Sequence, residues 1–440
     1  MTDTLAVNQV VPIERVPQGW QMLSLRRLFR ITGGATPKSD VAEYWDGEID
    51  WVTPADLGKT SSLEVHNSAR TLTRAGLDSC AAELLPPGSI IVSVRAPIGA
   101  IGIAKVPMAT NQGCKGLVGQ SAEPRFMAYQ LSVSQESLEA IGRGTTFTEL
   151  SATDLGSFQV AVPPLDLQRA IADFLDRETA KIDALIDKQE QLIDTLREDR
   201  AATITQAVTK GLDSQVELRE SGVRWMGAIP AHWCVDRIKN SVESARNGVW
   251  GAEPDGGSED IRCVRVADFD RPQLAIHDRN ITYRKVTSSE RSGRILQRGD
   301  LLLEKSGGGD KNPVGFVVLY EKDEPAICSN FVARVQLAPN QDPKFWTYVH
   351  HCLYQSRLTY PSIKQNTGIQ NLDQQSYFNE RVGFPPFAEQ SEIVKFLDSR
   401  CSRIDALIDK SVEMIETLSE YRSALITNAV TGKIDVREAV

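Results

Sequence analysis

Pro163–Lys188 reads PPLDLQRAIADFLDRETAKIDALIDK, and Pro385–Lys410 reads PPFAEQSEIVKFLDSRCSRIDALIDK. These stretches lie 222 residues apart and open a repeat that runs without gaps to Asp213 and Asp435, about half of its positions identical. The heptapeptide IDALIDK is unbroken in both copies, at Ile182–Lys188 and Ile404–Lys410. A double proline cannot lie inside a helix, so each helix begins just after Pro164 and Pro386. Gly211 and Gly432 stand where a helix stop is expected. In between, apolar residues recur at alternating spacings of three and four, one stripe per helix close to a heptad seam. About 44 residues make a rod of roughly 65 Å, a stripe longer than one small domain covers. The simplest solution packs the two copies against each other as an antiparallel coiled coil about a pseudo-twofold axis. Its seam is expected to draw on Ile171, Leu175, Ile182, Leu185 and Leu196, and on Ile393, Leu397, Ile404, Leu407 and Leu418.

Working outward, the repeat divides the chain into globular residues 1–163, helical residues 164–213, globular residues 214–386 and helical residues 387–440. The globular parts are much less alike, yet weak matches fall in the same order. Val16-Pro17-Gln18-Gly19-Trp20 corresponds to Ile229-Pro230-Ala231-His232-Trp233, and the Trp51–Leu57 stretch loosely to Val264–Phe269. Pro87–Ser93 corresponds to Arg298–Glu304, Asn111 to Asn330, and Gly144–Leu150 to Asn366–Leu372. Short apolar runs (Ser89–Val94, Gly315–Tyr320, Phe331–Leu337) read as strands, with helices at Pro124–Ile141 and Pro343–Leu358. The expected fold is α/β (α+β), with two similar globular domains of different surface on two long helices.

Composition excludes several classes. No apolar run approaches the roughly 20 residues of a membrane span, and the N-terminus lacks a signal-peptide pattern. Seven scattered cysteines form no C-x-x-C or Cys/His cluster, which points to reduced thiols, a cytoplasmic setting and no structural zinc. Of the net charge of −9, −7 falls in the two helical segments, leaving the globular halves near neutral. A local basic face on each half is therefore compatible with the acidic whole. Gly307-Gly308-Gly309-Asp310-Lys311 lacks the spacing and the Ser/Thr of a phosphate loop. Phe384-Pro385-Pro386-Phe387 is the counterpart of the helix lead-in Val162-Pro163-Pro164. No metal or nucleophile constellation stands out among the five histidines, and partial burial is expected for His350-His351. Trp45, Trp51 and Trp250 read first as core, with a sugar or a flipped base as the other reading.

The ordered set of the I/V-P-x-x-W openings, the turn-plus-strand at Gly88 and Gly299, and the duplicated PP…Q…I…FLD–IDALI–AVT helix resembles the specificity subunit of type I restriction-modification systems. The set includes Pro163, Pro164, Gln168, Ile171, Phe174, Leu175, Asp176, Ile182–Ile186 and Ala207–Thr209, and returns from Pro385 to Thr431. It covers essentially the whole chain, twice. The resemblance implies two target recognition domains, each reading one half of an interrupted asymmetric DNA site. It implies helices that set the gap and dock modification subunits, two in number, alongside restriction subunits, with no chemistry in this chain. S-adenosylmethionine, ATP and Mg are implied on those partners and no cofactor here. A specificity protein for a type II-like fused methylase-nuclease, and a coiled-coil scaffold that binds proteins, are the competing readings.

Base readout needs side chains that reach base edges, and phosphate contact needs cations, hydroxyls and backbone N–H groups. The loops that combine these with glycine hold Lys38, Arg95, Asn111, Gln112, Lys115, Arg143, Thr145 and Thr146 in the first half. In the second they hold Arg246, Lys305, Ser306, Lys311, Asn330, Lys364, Gln365, Asn366 and Thr367. Each loop also reads as an ordinary solvated turn.

Overall fold

The computed structural model describes residues 16–58, 63–142, 149–366 and 368–438. The double prolines set the start of both long helices, which run Leu165–Lys210 and Phe387–Val430. Both stop at a glycine in the left-handed region, Gly211 at φ 71° and Gly432 at φ 70°, where a Cβ would strain the backbone. No described helix is long and apolar enough to cross a membrane.

The chain folds into two compact units, one of Met1–Glu190 with Val412–Val440 and one of Gln191–Ser411. Each unit therefore holds a globular half, the near part of one long helix and the far part of the other. In the first unit Ile171, Ala172 and Leu175 share a core with Ile426, Ala429 and Val430, and Asp183 pairs with Arg422 at 2.8 Å. In the second, Ile204, Ala207 and Val208 share a core with Ile393, Leu397 and Cys401. There Arg200 pairs with Asp405 at 3.2 Å and Arg400 with Asp199 at 2.9 Å. Helix segments in both units thus pack antiparallel.

The seam differs from the expected one in detail. Ile171, Leu175, Ile182, Ile393, Leu397 and Ile404 are buried, and Leu196 and Leu418 are half-buried. Leu185 and Leu407 are 47% and 50% exposed. The covered line steps through Ile182, Ile186, Gln189 and Ile193, so Leu185 lies about 100° around the helix from the seam position beside it. Both 182/185 and 182/186 satisfy a three-or-four rule, and spacing alone does not choose between them.

Each globular half repeats one plan. Strands Phe29–Gly33, Cys114–Gly119, Ile90–Ser93 and Ile101–Ala104 are neighbours in an antiparallel sheet, and Val242–Asn247, Val332–Leu337, Leu301–Glu304 and Val317–Leu319 take the same order. The first sheet adds Glu64–Val65. A second sheet, Thr71–Leu72, Trp45–Val52 and Met108–Thr110, is matched by Tyr283–Lys285, Asp260–Val264 and Ala326–Cys328. The expected helix at Pro124–Ile141 is two, Pro124–Ser132 and Gln135–Ile141. At the break the Ser134 hydroxyl donates back to the Gln130 carbonyl at 2.7 Å, which competes with a continuing helical turn. Its counterpart spans Pro343–Gln355.

The motif residues of the repeat build the joint between globular half and helix. Gln168, buried, donates to the Pro163 carbonyl at 2.8 Å and accepts from the Glu123 N–H at 2.9 Å. Gln390 does the same with the Pro385 carbonyl at 3.0 Å and the Asp342 N–H at 2.9 Å. Asp176 accepts from the Tyr129 hydroxyl at 2.8 Å and Arg125 at 2.7 Å. Asp398 accepts from Tyr348 and Lys344, both at 3.0 Å. Each P-x-x-W opening closes over a helix end: Pro17 and Trp20 lie against Gly432, and Pro230 and Trp233 against Gly211.

Candidate nucleic-acid interface

At one end of each main sheet three strand ends come level. In the first unit Gly33 faces Lys115 and Ser93 faces Cys114. Beyond them the chain is held by Val94 N–H donating to the Gly113 carbonyl at 2.8 Å and Leu150 N–H to the Val94 carbonyl at 3.0 Å. In the second, Lys305 N–H donates to the Phe331 carbonyl and Leu372 N–H to the Lys305 carbonyl, both at 2.8 Å. These matched bonds fix the equivalence of the two ends and correct one pairing. Gln112, not Asn111, stands where Asn330 stands, because Gly113 takes the place of Phe331.

The candidates gather at these ends. In the first unit Arg95 is exposed and pairs with Glu149 at 3.0 Å, Gln112 accepts from the Thr36 hydroxyl, and Lys115 is half-buried. Asn111 accepts from the Gly113 N–H at 2.9 Å, so its oxygen shapes the turn. Lys38 is exposed, and its carbonyl accepts from the Trp45 indole at 3.2 Å. In the second unit Lys305 donates to the Asn247 side chain at 2.7 Å, and partial burial holds its ammonium below the ordinary lysine pKa. Ser306 donates to the Asn371 side chain and Lys364 pairs with Asp373, both at 2.7 Å. Arg246, Lys311, Asn330 and Gln365 are exposed. Arg143, Thr145, Thr146, Thr367 and the side chain of Asn366 lie outside the described residues. The pairs Arg95–Glu149 and Lys364–Asp373 lie at the surface, where an ion pair has small strength.

Two glycines near these ends are required by the fold. A Cβ on Gly34 would collide with the Asn111 carbonyl, and one on the equivalent Gly248 with the Cys328 carbonyl. These glycines admit the chain's own backbone rather than a ligand. Phe331 and Ile369, apolar and exposed, stand at the same end of the second unit, outside the set of polar residues named from the sequence. Their signal was an apolar residue inside a turn dense in Asn, Gly and Lys.

The aromatic and histidine readings divide. Trp45 and Trp51 are buried against each other, ring centres 5.1 Å apart, with the Arg70 guanidinium 3.6 Å over Trp45. Trp250 is exposed, with Arg284 at 4.5 Å. His350 and His351 are both fully within the core, deeper than expected, and burial pushes both imidazoles down to about 4. Among the described residues no group of His, Cys, Asp and Glu stands where it could hold a metal ion.

Comparison with known proteins agrees with this architecture. Residues 17–194 match the family described as the type I restriction modification DNA specificity domain. The MjaIX specificity subunit of a type I restriction enzyme from Methanocaldococcus jannaschii is 31% identical over 166 residues, 37% of this chain and 38% of that protein. The StySPI specificity subunit from Salmonella potsdam is 20% identical over 96% of this chain and 90% of its own length. In fold, a chain from a structure described as the basis of complex assembly and conformational transition of the type I R-M system superposes with a TM-score of 0.71. It is 15% identical, and the match covers 96% of this chain and 100% of that one. Residues 17–194 thus carry a type I restriction modification DNA specificity domain, the second half repeats its plan and joint, and specificity subunits of type I restriction enzymes are similar to the chain along nearly its whole length.

Proposed function

We propose that each globular half reads one half of an interrupted, asymmetric DNA site, and that the chain directs adenine methylation and restriction performed by partner subunits. One observation carries the reading. The same sheet end, held by the same main-chain bonds and mounted on the same Gln/Asp joint, presents Thr36, Arg95, Gln112 and Lys115 in one unit and Arg246, Lys305, Ser306 and Asn330 in the other. A common mount with different side chains is what two different half-sites require. Cations and hydroxyls at the rim set register on phosphates, and amides at the strand ends reach base edges. The long helices supply the fixed spacing between readers. Leu185 and Leu407, exposed within identical heptapeptides, give the contact repeated for two modification subunits. S-adenosylmethionine, ATP and Mg belong to those partners and to the restriction subunits.

The test is long-read mapping of methylated bases in the source strain with and without this gene. Loss of one interrupted, asymmetric methyl-adenine motif on deletion is the expected result. An unchanged map, with the partner methylase expressed, rejects the reading. A salt titration of the complex on DNA adds a second check. Binding through several phosphates weakens steeply with salt, by about 0.9 in log K per log salt for each phosphate neutralised.

A further inference from the structure

Phe331 is 47% exposed and Ile369 50% exposed, and their positions are fixed. The Phe331 carbonyl accepts the N–H groups of Lys305 and Ser306 at 2.8 and 3.3 Å. Its ring edge lies 3.6 Å from the place a Gly307 Cβ would take. Gly307 in turn donates its N–H to the carbonyl of Gln370, next to Ile369, at 3.1 Å. Phe331 therefore lies against Gly307, and Ile369 stands exposed one residue before the main-chain group that Gly307 bonds, both beside the polar residues Lys305, Ser306 and Asn330. The first unit has no such feature at the position of Phe331: Gly113 stands there, and a Cβ on it would come within 2.9 Å of Pro54.

A turn braced by two main-chain bonds holds the phenylalanine in place, yet half its surface stays in water, where it adds little to folding. Its neighbours decide what covers it. Lys305 and Lys364 stand at this end, Lys364 paired with Asp373, and the exposed Lys311 and Arg246 lie on the adjoining loop and strand, which suits a polyanion. Among the groups that DNA presents in its major groove, the thymine 5-methyl is the one that takes apolar contact. We propose that Phe331 and Ile369 read thymine methyl groups in the half-site taken by the second unit, a contact the first unit does not make at Gly113. This rests on the reading of the chain as a DNA-recognition subunit.

The experiment uses the full chain with its modification subunits and a duplex carrying the site mapped for the wild type. Each thymine is replaced in turn by deoxyuridine, which removes only the methyl group, and the methylation rate is measured. The expected result is a loss of about fourfold, the worth of one buried methyl, at one or two thymines of a single half-site. Phe331→Ala or Ile369→Ala then abolishes that sensitivity and relaxes the methylated motif at the same positions, whereas Phe331→Leu retains it. The other half-site stays unchanged and shows that the variants fold and assemble. Deoxyuridine without effect at every position overturns the proposal, as does a wild-type sensitivity that persists in both alanine variants. If a variant methylates nothing, the wild-type deoxyuridine scan decides alone. A wild type that yields no interrupted motif is a separate failure, that of the DNA-recognition reading itself.

Discussion

Single residues at the joint hold more than their surface chemistry suggests. Gln390 satisfies a main-chain N–H and a main-chain carbonyl in the core, so Gln390→Ala leaves both groups without partners. The expected loss is about 2–3 kcal/mol, read from the urea midpoint. A loss below about 0.5 kcal/mol would show that the joint does not carry the domain. Protonation acts on the same unit. His350 and His351 have imidazoles near pKa 4 in the fold, against about 6.5 unfolded. Their contribution is complete above pH 6.5 and is lost as the pH falls from there towards 4. His350 also bonds the Tyr377 hydroxyl at 2.6 Å; its counterpart in the first unit is Leu131. His350→Leu should lower stability at neutral pH but flatten its decline on acidification, which urea unfolding at several pH values measures. An unflattened decline would remove His350 as the cause. At this scale the sequence marks candidate cations and amides but not the partners they take in the fold. Arg95, Lys305 and Lys364 are legible as cations, whereas their ties to Glu149, Asn247 and Asp373 depend on contacts across 54, 58 and 9 residues.

At the scale of elements, the long helices were the most legible part, since double prolines and terminal glycines act locally on the backbone. Their pairing partners were also readable, because two near-identical stripes have few other ways to be covered. The choice of seam was not. It depends on which of two adjacent positions turns inward, and Leu185 lost to Ile186. The consequence is testable: Ile182→Ala should destabilise the chain by about 2–3 kcal/mol, while Leu185→Lys should change its stability by no more than about 0.5 kcal/mol. Thermal melts of the isolated chain compare them. Co-purification should show the reverse order for modification subunits, with Leu185→Lys the weaker binder. Equal destabilisation by both would place Leu185 on the seam after all.

For the whole molecule, the proposal makes the helices a ruler. A four-residue insertion in each long helix adds about 6 Å and should lengthen the unspecified gap in the methylated motif while both half-sites stay the same. A gap that does not change would end the ruler idea. The antiparallel pairing expected of two matched stripes is also what gives each compact unit the far part of the other helix, although the two units, Met1–Glu190 with Val412–Val440 and Gln191–Ser411, cut across both helices rather than at their ends. The joint bears on how such a molecule changes over generations. Gln168 and Gln390 grip their globular halves by a backbone N–H, which every residue but proline can offer, so Glu123 in one half and Asp342 in the other serve equally well. Mutation can therefore rewrite the recognition loops, or recombination exchange one half for another, without renegotiating the attachment. On the proposed function, a lineage can alter what it recognises while inheriting its frame intact.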